Sequence, residues 1–203
     1  MKTLLAVIFL VGSVFAQIQD ASPAGAPMQL AGTAAGGMTG TNTASNEILA
    51  FVISYGPNNF TFNRDFYFQP AGIAPGATRP MVELGALPPK FLSQFTSGTV
   101  IYVQFADGTE WGDLSSGHQS IANRKAYLTL YSQVVSAYGT GGQTAVEALL
   151  NNTANADPQP NPDVSGMAST LLTQEKSKGI DWFLSEMNRY IDSAAAHDKT
   201  LHP

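Results

Sequence analysis

Apolar residues recur along this chain with two different periods. Through residues 48–111 they alternate with polar ones or run in short bursts, and beyond residue 116 they follow helical spacing. Residues 48–55, Ile-Leu-Ala-Phe-Val-Ile-Ser-Tyr, predict a strand with Leu49, Phe51, Ile53 and Tyr55 on one face. Gly56-Pro57-Asn58-Asn59 turns the chain. Phe60, Phe62, Phe66 and Phe68 share one parity, and a single strand through all four would put Arg64 among the rings. A bulge or turn at residues 63–65 removes that conflict. A loop at 72–76 and a short strand at 81–84 follow, closed by Pro88-Pro89. Residues 99–105 carry the clearest strand pattern. Ile101, Val103 and Phe105 alternate with Tyr102 and Gln104, as in a half-buried strand. Asp107-Gly108 predicts a turn and residues 109–111 the returning strand.

The helical period begins with Ile121, Leu128, Tyr131, Val135 and Tyr138 on one stripe, and Gly139 is placed to end it. Thr144-Ala145-Val146-Glu147 has capping-box form and opens a second helix through Leu150. Residues 151–163, with Pro158, Pro160 and Pro162, predict a loop. Met167, Leu171 and Leu172 then belong to a helix separated by Gly179 from another, whose stripe is Ile180, Phe183, Leu184, Met187 and Ile191. That last stripe needs a cover, from the sheet or from a second copy of the chain. No repeat period is present.

Two segments lack either period. Residues 17–46 are rich in Ala, Gly, Ser, Thr and Pro and predict a flexible low-complexity lead, with Met28 and Leu30 as an alternative short edge strand. Residues 1–16 combine Lys2, the apolar stretch 4–10 and a small-residue end at Ala16, which together form a secretory signal with cleavage after Ala16. The run is too short for a spanning helix of ~20 residues. The expectation is a secreted or periplasmic, soluble protein: signal peptide 1–16, lead 17–46, β-rich module 47–115 and helical segment 116–203. Its class is α+β, a small antiparallel β-sandwich-like sheet module followed by a C-terminal helical segment.

Composition narrows the function. With 44% hydrophobic residues the chain can bury a core, and with 12% charged residues and a net charge of −5 it has no basic face for nucleic acid. It has no Cys, which excludes disulfides, a thiol nucleophile and thiolate zinc. No cofactor is expected. The sequons at Asn59 and Asn151 bear only on a eukaryotic secretory route.

The order of an apolar strand at 48–55, the loop Ile73-Ala74-Pro75-Gly76 and the piece Phe105-Ala106-Asp107-Gly108-Thr109-Glu110-Trp111-Gly112 resembles a pattern in uncharacterised exported bacterial proteins. Those proteins carry an I-x-P-G loop and an F-x-D-G-T-x-W-G hairpin. The resemblance covers about residues 47–112 and implies no activity.

Candidate chemistry centres on the same hairpin. Asp107, Glu110 and Asp113 offer carboxylates to a hard cation, although their spacing is not that of an EF-hand and turn chemistry explains them as well. His118 with Asp113 is the local combination suited to a base, whereas His197 and His202 read as solvated. Trp111 and nearby Tyr102 and Tyr67 are candidates for an aromatic platform, or for packing between strands. Gly139-Thr140-Gly141-Gly142-Gln143-Thr144 lacks the Lys of a phosphate loop and reads as a linker. Glu175 and Lys178 have the spacing of a solvated helix face. No G-x-S-x-G or H-E-x-x-H motif occurs. The expected function is a non-enzymatic interaction or structural protein. The alternative is a cell-envelope hydrolase or carbohydrate-binding protein using Asp107, Glu110, Trp111, Asp113 and His118. A protein partner or self-association through the last helices is a further expectation.

Overall fold

The computed structural model describes residues 17–33, 37–56, 60–82, 96–159 and 161–201. The expectations for the signal segment, the turn at 57–59, the close at Pro88-Pro89 and His202 lie outside these residues. The class is α+β. Strands β1 (Gln19–Asp20), β2 (Met28–Thr33), β3 (Gly37–Asn42), β4 (Ile48–Tyr55), β5 (Phe60–Asp65), β6 (Thr78–Val82), β7 (Ser97–Phe105) and β8 (Glu110–Gly112) precede helices α1 (Leu114–Ile121), α2 (Arg124–Ala154), α3 (Pro162–Lys178) and α4 (Ile180–Leu201).

The strands form two sheets. One has the order β1-β7-β4-β5, with β8 also on β7; the other is β2-β3-β6. All pairings are antiparallel except the short β1–β7 contact. Leu49, Phe51, Ile53, Val100 and Val103 of the larger sheet share one core with Met28, Leu30, Met38 and Met81 of the smaller. Burying each such side chain contributes roughly 1.5–3 kcal/mol.

Residues 17–46 are therefore not a structureless lead: they supply three strands and Asn42, which is fully buried. Their small residues made the segment look unable to bury a core, yet Met28 and Leu30 alternate with exposed positions and point inward. Gly98 of β7 lets the two sheets close up, because a Cβ there would meet Leu30 Cδ1 at 3.0 Å and Met38 Cε at 3.1 Å. The Asn42 amide donates to Asn46 O and Ile73 O, at 2.8 and 2.7 Å, and fastens this sheet to the 72–76 loop.

Strand β5 runs through residues 63–65 without the expected bulge. It is the end strand of its sheet among the described residues, so Arg64 stays on the Phe face and still reaches solvent, its guanidinium 5.9 Å from the Phe66 ring centre. The chain turns only after Asp65. Strand β7 is buried on both faces rather than one: Tyr102 is covered as fully as Val103, and Gln104 is buried too. Helix α1 provides that cover. It lies flush on the sheet at Gly117, where a Cβ would sit 2.2 Å from Tyr102 Cδ2.

Helices α2, α3 and α4 enclose a second core of Leu130, Tyr131, Val134, Val146, Leu150, Ala168, Leu171, Phe183 and Met187. Helix α2 continues past Gly139 and breaks at Gly142, where φ is 65° and ψ is −157°, values open to glycine. Asn161 caps α3 by accepting from Asp163 N and Val164 N, with Pro162 in the first turn. Gly179 separates α3 from α4 as expected. The stripe of α4 finds its cover within the chain, where Phe183 and Met187 are fully buried among the helices. The helical bundle is tied to the sheets through Tyr67, which donates to Asp198 Oδ1 at 2.6 Å, and through His197, whose Nε2 lies 3.0 Å from Gln69 O. His197 is thus buried, not solvated, because α4 docks back on the 66–70 turn.

Candidate functional site

The three carboxylates of the acidic hairpin are held in three separate arrangements. Asp107 closes its own turn: Oδ1 accepts from Thr109 N at 3.0 Å and Thr109 Oγ1 at 2.6 Å, and Oδ2 accepts from Asn46 Nδ2 at 2.6 Å. Gly108 has φ 83°, as the turn requires. Asp113 caps α1, accepting from the Ser116 hydroxyl at 2.7 Å and from the amides of Ser115 and Ser116. These donors hold both carboxyls below the usual aspartate range, led by the Thr109 hydroxyl for Asp107 and the Ser116 hydroxyl for Asp113. Trp111 is half-buried opposite Val103 in the β7–β8 ladder and packs on the sandwich core.

Glu110 and His118 do meet, at 3.1 Å between Oε2 and Nε2, and the other Glu110 oxygen accepts from the buried Tyr102 hydroxyl. His118 pairs with Glu110 rather than with Asp113, because Asp113 is held at the helix start. Its imidazole side chain is 61% exposed. Among the described residues, no group of three His, Cys, Asp or Glu side chains is placed to hold a metal ion.

A concavity lies elsewhere. A cleft of about 580 Å³ opens between the helix-facing side of β5, helix α1 and the first turns of α2 and α3, a size within the small-molecule range. Thr61, Asn63 and Asp65 line it from β5, their common parity placing them on the face opposite Phe62. Ser116, Gln119 and Ser120 enter from α1, Asn123, Arg124, Tyr127 and Tyr131 from the α1–α2 junction onward, and Asp163 and Met167 from α3.

Every charged group in the cleft has a partner. Arg124 donates from Nε and Nη2 to both Asp65 oxygens, at 2.7 and 2.8 Å, and from Nη1 to Gln104 Oε1 at 2.7 Å. Its guanidinium also lies 4.7 Å from the Tyr67 ring centre. Asp163 accepts from Asn123 Nδ2 at 2.7 Å, and Asn123 Oδ1 accepts from Asn161 at 3.0 Å. Burial, then the Asp163 charge, pushes the Tyr127 hydroxyl above the usual tyrosine range, so it stays a neutral donor. The side chains of Thr61, Asn63, Gln119 and Tyr127 make no hydrogen bond to the described residues.

Sequence reasoning placed candidate residues one hairpin away from this cleft and missed its members. The available signal was the parity of Thr61, Asn63 and Asp65, a polar stripe on a strand whose other face carries Phe. Comparison with known proteins finds no matching family model, no similar curated protein and no similar solved structure. No helix among the described residues is long and apolar enough to cross a membrane.

Proposed function

We propose that this chain is an exported, non-enzymatic recognition protein whose ligand sits in the cleft between β5 and the first turns of α2 and α3. The observation that carries the reading is the division of labour inside the cleft. Its charged groups satisfy one another, while neutral amide and hydroxyl groups are left facing the opening. Such an arrangement suits holding a polar molecule and lacks an activated nucleophile, which needs a base within hydrogen-bond reach. Among the described residues, the Glu110–His118 pair comes nearest to a base with its orienting group, and neither residue lines the cleft. Asp107 and Asp113 are engaged with their own backbone, which favours recognition over hydrolysis. Export rests on the charged start, apolar stretch and small-residue close of residues 1–16.

The test is amide-resolved NMR of the mature chain titrated with panels of sugars, peptides and small acids. Shifts centred on Thr61, Asn63, Gln119 and Tyr127, abolished by Asn63→Trp, are expected. Binding that ignores Asn63→Trp would overturn the reading.

A further inference from the structure

Building on the reading of the cleft as a recognition site, we infer that its ligand is an uncharged saccharide, held by the side-chain amides of Asn63 and Gln119 and the Thr61 hydroxyl, and packed on the ring of Tyr127. Charge decides first. Arg124 has its Nε, Nη1 and Nη2 atoms engaged by Asp65 and Gln104, so it presents no free fork to a phosphate or carboxylate. Asp163 adds a negative charge at the rim, which opposes an anion further. An amine would need an unengaged carboxylate in the cleft. Asp65 is taken bidentately, and Asp163 is exposed and already accepts from Asn123.

Hydrogen-bonding chemistry decides next. A carboxamide presents a donor and an acceptor side by side, and a hydroxyl is both. Vicinal sugar hydroxyls are likewise donor and acceptor at once, so Asn63, Gln119 and Thr61 match them without requiring a fixed charge. The aromatic wall complements the apolar C–H face of a sugar ring, with Tyr127 at the opening and Phe68 6.5 Å behind it. An extended peptide fits less well. Peptide strands bind by pairing with the backbone edge of a sheet, whereas the cleft lies over the face of β5 and offers side chains.

The test is calorimetric titration of the mature protein with neutral trisaccharides of glucose, mannose, xylose and N-acetylglucosamine, with uronic-acid and sulfated trisaccharides, and with neutral and acidic peptides. At least one neutral trisaccharide should bind, with affinity insensitive to added salt. Asn63→Ala and Gln119→Ala should each weaken it about tenfold. Tyr127→Ala should weaken it more than Tyr127→Phe, since the ring and not the hydroxyl supplies the packing. Thermal unfolding confirms that each variant is folded. If only charged sugars or peptides bind, and Asn63→Trp abolishes that binding, the saccharide assignment fails while the cleft stands as a site. If no member of the panel binds, or binding survives Asn63→Trp, the assignment fails as well, and in the second case so does the cleft.

Discussion

Arg124 grips Asp65 with two parallel hydrogen bonds, and this pair fixes the floor of the cleft. Arg124 is the first residue of α2 and Asp65 the last of β5, so one ion pair sets the distance between helix and sheet. Both side chains are largely covered, 12% and 23% exposed, and the remaining guanidinium nitrogen is held by Gln104. A bidentate, partly desolvated pair is worth more than a surface one. Removing either partner strands the other in a poorly solvated place. A double-mutant cycle of Arg124→Met and Asp65→Asn, read by urea unfolding, should return a coupling of about 1–3 kcal/mol. Additive effects would show that the pair does not organise the cleft.

Gly117 and Tyr102 make the second such contact. In a helix, Ala is favoured over Gly by about 1 kcal/mol, so Gly117→Ala should stabilise unless packing forbids it. Packing does forbid it: the new Cβ would lie 2.2 Å from a ring that is fully buried and whose hydroxyl is tied to Glu110. The expected result is a net loss of about 1–3 kcal/mol, seen as a lower melting temperature. Adding Tyr102→Leu should recover part of it. A stabilised single variant would show that α1 is not seated on β7 in this way.

The parts legible from sequence are those whose cause is local. The strand through Ile101 to Phe105, the Asp107-Gly108 turn, the Gly179 break and the α4 stripe each come from neighbouring residues, and the structure contains all of them. What failed depends on partners distant in sequence. In residues 17–46, β2 and β3 pair with each other, but β3 also needs β6 and β1 needs β7, both distant in sequence. The alternation puts Tyr102 and Gln104 on the open face of a half-buried strand, because the covering helix lies outside the strand pattern. The stripe Ile121, Leu128, Tyr131, Val135 and Tyr138 includes the buried Tyr131 but not Leu130 and Val134, which complete the covered face of α2 because α3 and α4 approach from that side. The cleft draws on residues from 52 to 167, and no spacing rule joins them.

Glu110 makes acid stability a readout of the α1–sheet contact. Burial pushes its carboxyl up, but the hydrogen bonds from Tyr102 and His118, with the charges of His118 and Arg124, outweigh it and leave it below its ordinary value of 4.5. A carboxyl lowered by folding lends stability above its unfolded value and withdraws it as pH falls through the folded one. The wild type should therefore lose stability as pH drops below about 4.5. Glu110→Gln should flatten that part of the profile, and Tyr102→Phe should do so in part. Chemical unfolding at a series of acidic pH values measures the slopes. Identical slopes in wild type and Glu110→Gln would refute the role of this carboxylate.

Glu175 sits in an environment that contradicts its sequence context. Read as part of a solvated helix face with Lys178, it is instead 1% exposed beneath the break in α2. Gln143, the residue after the Gly142 break, donates to Glu175 Oε1 at 2.7 Å and to Glu147 Oε1 at 3.1 Å. The second Glu175 oxygen is buried with no partner among the described residues. A buried acceptor without a donor costs about 1–3 kcal/mol, and an unpaired buried charge is unfavourable in addition. Glu175→Gln keeps an amide oxygen for Gln143, removes the charge and preserves the shape. Removal of the buried charge should therefore raise stability by about 1 kcal/mol, which for a chain of this size means a melting temperature higher by roughly 2–4 °C. A lower melting temperature would mean that the carboxylate is compensated where it lies, and that the break in α2 depends on its charge.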